Sequence, residues 1–181
     1  MSFIGIRIPH ECARLLHEID VPGTKEDSAQ LHITLLYLGQ NSPIKELAKA
    51  MVAAYEITQI TSPFLIKTTS VASFPVEEGC PHPIIAAIQS PKLLELHKCL
   101  KKSLDKTKVE YSKKFKLYHP HITLSFNNEG IKKTKIETIE WSVQEIVLWG
   151  GSDGDNRVFT TFPLELKRNE GISELCCKGS K

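Results

Sequence analysis

LHITLLYLG at residues 31–39 and HPHITLSF at residues 119–126 share the tetrapeptide His-Ile-Thr-Leu, at positions 32–35 and again at 121–124. Both copies sit in apolar, strand-like runs, and 89 positions separate them in a chain of 181. A bare His-x-Thr says little: with 7 His and 12 Thr, chance alone supplies roughly 0.5 of them. Two identical copies, each inside a β-type run and half a chain apart, are not accounted for that way.

Strand geometry gives the repeat a physical meaning. Side chains alternate faces along a strand, so residues i and i+2 point the same way. His32 and Thr34 are expected on one face, with Ile33, Leu35 and Tyr37 on the other. In the second copy His121, Thr123 and Ser125 are expected opposite Ile122, Leu124 and Phe126. Each strand then buries an aliphatic face and presents an imidazole beside a hydroxyl. If the two strands lie side by side, two imidazoles and two hydroxyls converge on one small volume.

On these motifs the sequence resembles the two-histidine phosphoesterases, a family that includes RNA 2′–5′ ligase-like proteins and 2′,3′-cyclic phosphodiesterases. Its mark is a pair of His-x-Thr/Ser motifs flanked by apolar residues, here His32-x-Thr34 and His121-x-Thr123. The resemblance extends to the opening strand FIGIRIP, to an early helix, to VPGT before the first motif, and to IVLWGG followed by VFTTFPL near the end. It covers residues 3 to 167 and departs at none of the four motif positions. It implies an α+β domain over residues 1–167, with two pseudo-symmetric lobes of antiparallel sheet, outer helices and a central cleft carrying the motifs. It also implies a metal-independent phosphodiesterase with His32 and His121 as general acid and base, Thr34 and Thr123 on phosphate, and no cofactor. The substrate class is a 2′,3′-cyclic phosphate or 2′-linked nucleotide: an RNA end, a 2′–5′ oligonucleotide or a cyclic immune messenger. The partner is thus a nucleotide or short oligonucleotide, taken by a monomer.

The chemistry needs those residue types. Cleaving a phosphodiester requires a nucleophile deprotonated, a leaving oxygen protonated and the non-bridging oxygens stabilised. Imidazole, with a pKa of about 6.5, serves as base or acid near neutral pH. Two imidazoles do both, and hydroxyls hold the phosphate. Sequence does not say which histidine is which. The rival reading is a non-catalytic nucleotide-binding module of the same fold, which intact His and Thr at all four positions disfavour.

Composition fits an ordinary globular chain, 41% hydrophobic and 24% charged. A net charge of +2 does not argue for a large polyanionic partner such as a long RNA. No apolar run reaches transmembrane length and the start lacks a signal peptide's regions, so no membrane partner is expected. Five cysteines without a CxxC read as reduced thiols in a cytoplasmic protein.

Along the chain, residues 3–8 alternate as a strand, with Ile4, Ile6 and Ile8 opposite Phe3, Gly5 and Arg7. Arg7 becomes a phosphate contact if that face joins the site. Helices are expected from Pro9 to about Asp20, from Pro43 to about Tyr55 and from Pro91 to about Asp105. The last two each open on Ser-Pro, a cap followed by proline. Their buried faces are read as Leu47, Met51 and Val52, and as Leu93, Leu94, Leu96, Leu100 and Leu104; in the first helix, Ala13, Leu15, Leu16 and Ile19 take that role. Residues 21–30 read as a polar loop; 31–38, 64–73, 84–89, 121–126, 141–149 and 157–166 as strands; and 150–156 as a turn. The repeated Ser-Pro suggests a duplicated layout, in which each half of the chain holds strands, a His-x-Thr strand and an outer helix.

Lys98, Lys101, Lys102, Lys106, Lys108, Lys113, Lys114 and Lys116 make the most basic stretch, a solvated face beside the second motif that could draw in a phosphate. Phe3, Phe74, Tyr118 and Trp149 lie near strand ends and are candidates for stacking a base. No metal is expected: Cys80 and His82 lack further ligands, and His119 with His121 lacks the acidic continuation of a binuclear site. The tail 168–181 reads as disordered, with Cys176-Cys177 unassigned.

Overall fold

The alternation of Ile4, Ile6 and Ile8 with Phe3, Gly5 and Arg7 builds a strand, β1 (Ser2–Arg7), whose isoleucines enter the core. The computed structural model describes residues 1–40, 42–113, 117–150 and 158–165. Helices α1 (His10–Glu18), α2 (Ile44–Thr58) and α3 (Pro91–Thr107) follow the three expected segments. The other strands are β2 (Thr24–Lys25), β3 (His32–Gly39), β4 (Phe64–Ser73), β5 (His82–Gln89), β6 (His121–Asn127), β7 (Thr134–Lys135), β8 (Glu140–Val143), β9 (Glu145–Trp149) and β10 (Val158–Pro163).

They pair into two antiparallel sheets, one ordered β10-β9-β1-β3 and the other β2-β6-β5-β4-β7, with β8 also on β4. This is the α+β, two-sheet architecture expected, with one His-x-Thr strand in each sheet. The lobes do not follow the halves of the chain, however. The first sheet joins β1 and β3 to β9 and β10, so both ends of the chain build it, and the middle builds most of the second. The stretch 141–149, read as one strand, is two. It breaks at Gln144, where β8 leaves the second sheet and β9 enters the first. The Gln144 carbonyl accepts a hydrogen bond from the Leu164 amide there. An uninterrupted apolar pattern hides such a crossing, since both pieces alternate in the same way.

The core is continuous across both sheets, with Ile4, Ile6 and Ile33 from the first and Ile66, Ile84 and Ile122 from the second. The α2 helix meets it through Leu47, Ala50, Ala53, Ala54 and Ile57, so Val52 lies on the far side and is exposed. Alanines let the helix approach closely. In α3 the buried set Leu93, Leu96, Leu100 and Leu104 follows one helical stripe, and Leu94 falls beside it, exposed. Leu15 is likewise exposed on α1, where Ala13 and Leu16 are buried.

The two Ser-Pro starts differ. Ser90 accepts from the Leu93 amide as a true N-cap, whereas Ser42 donates to the Leu38 carbonyl and Pro43 takes the cap position without a side-chain bond. Ser90→Ala should therefore cost about 1 kcal/mol in urea unfolding, and Ser42→Ala no more than about 0.5 kcal/mol.

Segment 21–30 is more than a loop. Its β2 pairs with β6, and residues 28–30 form a 3-10 turn capped by Asp27. Cys12 and Cys80 are free thiols, and Cys99 is buried on α3. Among the described residues no helix is long and apolar enough to cross a membrane. The turn over 151–156, Lys114, Lys116, and the tail with Cys176 and Cys177 lie outside the described residues.

Candidate active site

Both motif strands take their site faces from register. In the first sheet Arg7 pairs with His32, Gly5 with Thr34 and Phe3 with Tyr37, and on the other side Phe3 pairs with Trp149 and Gly5 with Val147. Cross-strand partners share a face, so Arg7, Phe3, Trp149 and Tyr37 line up with His32 and Thr34. In the second sheet Ala87 pairs with His121, Ile85 with Thr123 and Pro83 with Phe126. The two motif strands are neighbours. The chain leaves β2, bonded along β6, and after the 3-10 turn becomes β3; the Glu26 amide still donates to the Leu124 carbonyl on the way.

Strict alternation fails at the same place in both copies. The pairing skips Leu35 in β3 and Leu124 in β6, so the fourth residue of each tetrapeptide is a β-bulge. A bulge reverses the faces beyond it. Tyr37 therefore joins the histidine face, packed against the cluster of Phe3, Val147 and Trp149, rather than the opposite one. Ser125 leaves the histidine face, is fully buried and donates to the Pro22 carbonyl at 2.7 Å. Phe126 replaces it on the site side, 40% exposed. Alternation alone misplaces these three residues. The adjacent apolar pair Leu35-Leu36 was a legible sign of the first bulge; Leu124-Ser125 gives none.

The histidines are held identically. His32 Nδ1 lies 2.7 Å from the Gln30 carbonyl and His121 Nδ1 lies 2.7 Å from the His119 carbonyl, each two residues upstream. A carbonyl only accepts, so Nδ1 carries the proton in both rings and Nε2 is left for chemistry. Burial lowers the pKa of His121, against its bond to the His119 carbonyl; the nearby charges of His32 and His119 push it the same way. His32 is thus close enough for the two imidazoles to feel each other. Thr34 and Thr123 are half-buried, and among the described residues neither hydroxyl has a hydrogen-bond partner.

Aromatic rings pack around both imidazoles. Phe3 stacks on His32 at 4.7 Å and on Trp149 at 4.7 Å, and all but a few per cent of Phe3 and Trp149 is buried. Their faces are spent on the protein, so they support His32 instead of offering a platform. Phe74 meets the His121 ring edge-on at 4.7 Å. Tyr118 stacks on His97 and donates its hydroxyl to the Thr34 carbonyl, an internal post. Arg7 is exposed across from His32. His97, 62 positions from Leu35, was missed, because nothing local marks it. His82 Nδ1 bonds the Phe74 carbonyl, and Cys80 is exposed. Among the described residues no three His, Cys, Asp or Glu side chains gather as metal ligands.

The architecture recurs in solved structures. TT0787 of Thermus thermophilus matches with a TM-score of 0.75 at 23% identity, over 90% of this chain and 97% of that one. A protein described as a phosphoesterase matches with a TM-score of 0.62 at 21% identity, over 91% and 95%. E. coli LigT complexed with 3′-AMP matches with a TM-score of 0.60 at 22% identity, over 91% and 94%. At these identities the likeness speaks for the fold. No curated protein matches in sequence. The family model of the 2′-5′ RNA ligase superfamily does match, over residues 12–155, which include both motifs and most of the two sheets. The chain belongs to the 2′-5′ RNA ligase superfamily.

Proposed function

We propose that the protein is a phosphodiesterase that opens a 2′,3′-cyclic phosphate or cleaves a 2′-linked nucleotide, using His32 and His121 as the acid–base pair. The observation that carries this reading is the matched anchoring of the two rings, Nδ1 to a carbonyl at 2.7 Å in each. It frees both Nε2 atoms on motif faces that neighbour each other. Nucleotide recognition is in keeping with E. coli LigT, solved with 3′-AMP and with ATP.

The roles follow from protonation. Burial lowers the pKa of His121 and so favours its neutral form, which suits it to the role of base. Its Nε2 takes a proton from the attacking water as the new P–O bond forms. His32 takes the complementary role of acid, donating from Nε2 to the ribose oxygen that leaves phosphorus. Thr34 and Thr123 hydroxyls donate to the non-bridging oxygens, and Arg7 supplies positive charge at the rim. Proton exchange with solvent then resets the pair. The imidazoles supply both proton transfers, so the cycle calls for no metal.

The test is a substrate panel in EDTA: 2′,3′-cyclic mononucleotides, 2′–5′ and 3′–5′ oligoadenylates, and cyclic di- and trinucleotides. Turnover of a cyclic phosphate or 2′-linked substrate, with 3′–5′ oligoadenylate left intact, is the expected result. Nucleotide binding without turnover of any member would place the chain among non-catalytic binding modules instead.

A further inference from the structure

Beneath the first motif strand lies a pair of side chains that the proposed reaction does not touch. β3 is the edge of its sheet, so its outward carbonyls have no strand to bond. Three donors meet them. The Ser112 amide reaches the Tyr37 carbonyl at 2.8 Å, Tyr118 Oη reaches Thr34 O at 3.0 Å, and His97 Nδ1 reaches Leu35 O at 3.0 Å. The last two come from rings stacked face to face, 4.0 Å apart and 7° from parallel. In a regular strand consecutive carbonyls point to opposite edges. Here the carbonyls of Thr34 and of the bulge residue Leu35 are both taken by one stacked pair, so the pair and the bulge fit each other.

The two rings come from different places. His97 is on α3, and Tyr118 lies three residues before His121, in the segment whose His119 carbonyl anchors the His121 ring. One contact therefore ties the approach to the second motif onto the backbone of the first. We infer that His97 and Tyr118 are positioning residues: a stacked clamp that pins the Thr34–Leu35 bulge and thereby sets where Thr34 and His32 stand relative to His121. This rests on the phosphodiesterase reading for its kinetic consequence, though not for its geometry. Burial supports it, lowering the pKa of His97 so that the ring stays neutral with its Nδ1 proton given to Leu35. Burial likewise raises the Tyr118 pKa, keeping its hydroxyl a donor.

The variants separate stacking from donation. Tyr118→Phe keeps the ring and removes the hydroxyl; His97→Leu removes the donor and the stack; His97→Asn restores a donor near Nδ1. Because a misplacement of about 1 Å can cost on the order of 100-fold, Tyr118→Phe and His97→Leu should each lower kcat about 10-fold or more, with KM within about 2-fold. His97→Asn should recover much of that loss. In a Thr34→Ala background Tyr118→Phe should have little further effect, since residues acting as one unit are not additive.

The same samples, without substrate, give a second readout: NMR titration of the imidazole protons. Tyr118→Phe and His97→Leu should shift the titration curves of His32 and His121 and leave exposed His10 unmoved. If the panel finds no substrate, the phosphodiesterase reading falls and this titration alone judges the clamp. Unchanged curves for His32 and His121 in both variants, or kinetic losses that add fully to Thr34→Ala and track lost thermal stability, would overturn it.

Discussion

Alanine at His121 lowers turnover of the preferred substrate by about 10² to 10⁴-fold, the range spanned by general acid–base groups, and alanine at His32 does the same. The expectation follows from the way each ring is held. Both give Nδ1 to a carbonyl and reserve Nε2 for substrate, so neither protein group can take over a lost proton transfer. The double variant should lose little more than the worse single one, because a base without its acid has no complete reaction left to assist. His121→Asn sharpens the test. It can still donate to the His119 carbonyl and so keep the local backbone, but it has no Nε2. It should match His121→Ala in turnover while retaining the wild-type melting temperature. Activity in His121→Asn close to wild type would show that His121 does no proton transfer.

The second large effect lies under the site. Alanine at Gly5 is expected to destabilise the fold by about 3 kcal/mol, the upper end of overpacking costs. Its Cβ would lie 2.4 Å from the Ile33 carbonyl oxygen and 3.2 Å from Trp149 Cζ3. The first neighbour is backbone in the adjacent strand, between His32 and Thr34, and cannot swing aside as a side-chain end does. The second is a ring packed on Phe3, which itself stacks on His32. Gly5→Ala must therefore spread the β1–β3 pairing, displace Trp149 or do both. Urea unfolding reads the first and Trp fluorescence the second, and turnover falls with either. Gly79→Ala is the control: its φ is +82° but a Cβ meets nothing within 4 Å, so only backbone strain of about 1–2 kcal/mol is added. Equal costs at the two positions would show that close packing under His32 is not what Gly5 secures.

Much of this architecture was legible in the residues because local rules and tertiary fold agree. Ile4, Ile6 and Ile8 alternate and are buried, Ser90 caps, and Leu93, Leu96, Leu100 and Leu104 form one stripe. The tetrapeptides marked the strands that carry the site. What escaped was whatever depends on a partner far along the chain. The bulges at Leu35 and Leu124 are set by pairing with β1 and β5, and they moved Tyr37, Ser125 and Phe126 to faces that period-2 counting denies them. The crossing at Gln144 is invisible where both strands alternate alike. Tyr118 and Trp149 are aromatic and near strand ends, as a platform for a base requires, yet sequence does not show whose surface a ring covers. His97 had no local signature at all, since its meaning lies in the Leu35 carbonyl.

The most direct test of the acid–base pair is the pH dependence of kcat/KM in EDTA, measured from about pH 5 to 9, a window that brackets the imidazole range. A neutral base is lost as pH falls and a protonated acid is lost as pH rises, so the profile should be bell-shaped, its two apparent pKa values belonging to the coupled pair. Burial of His121 lowers its pKa, which places the acid limb below the ordinary imidazole value of about 6.5. A profile with both limbs, the acid one removed in His121→Asn, is the predicted result. A profile with a single limb, or an acid limb unchanged in that variant, would contradict the two-histidine account.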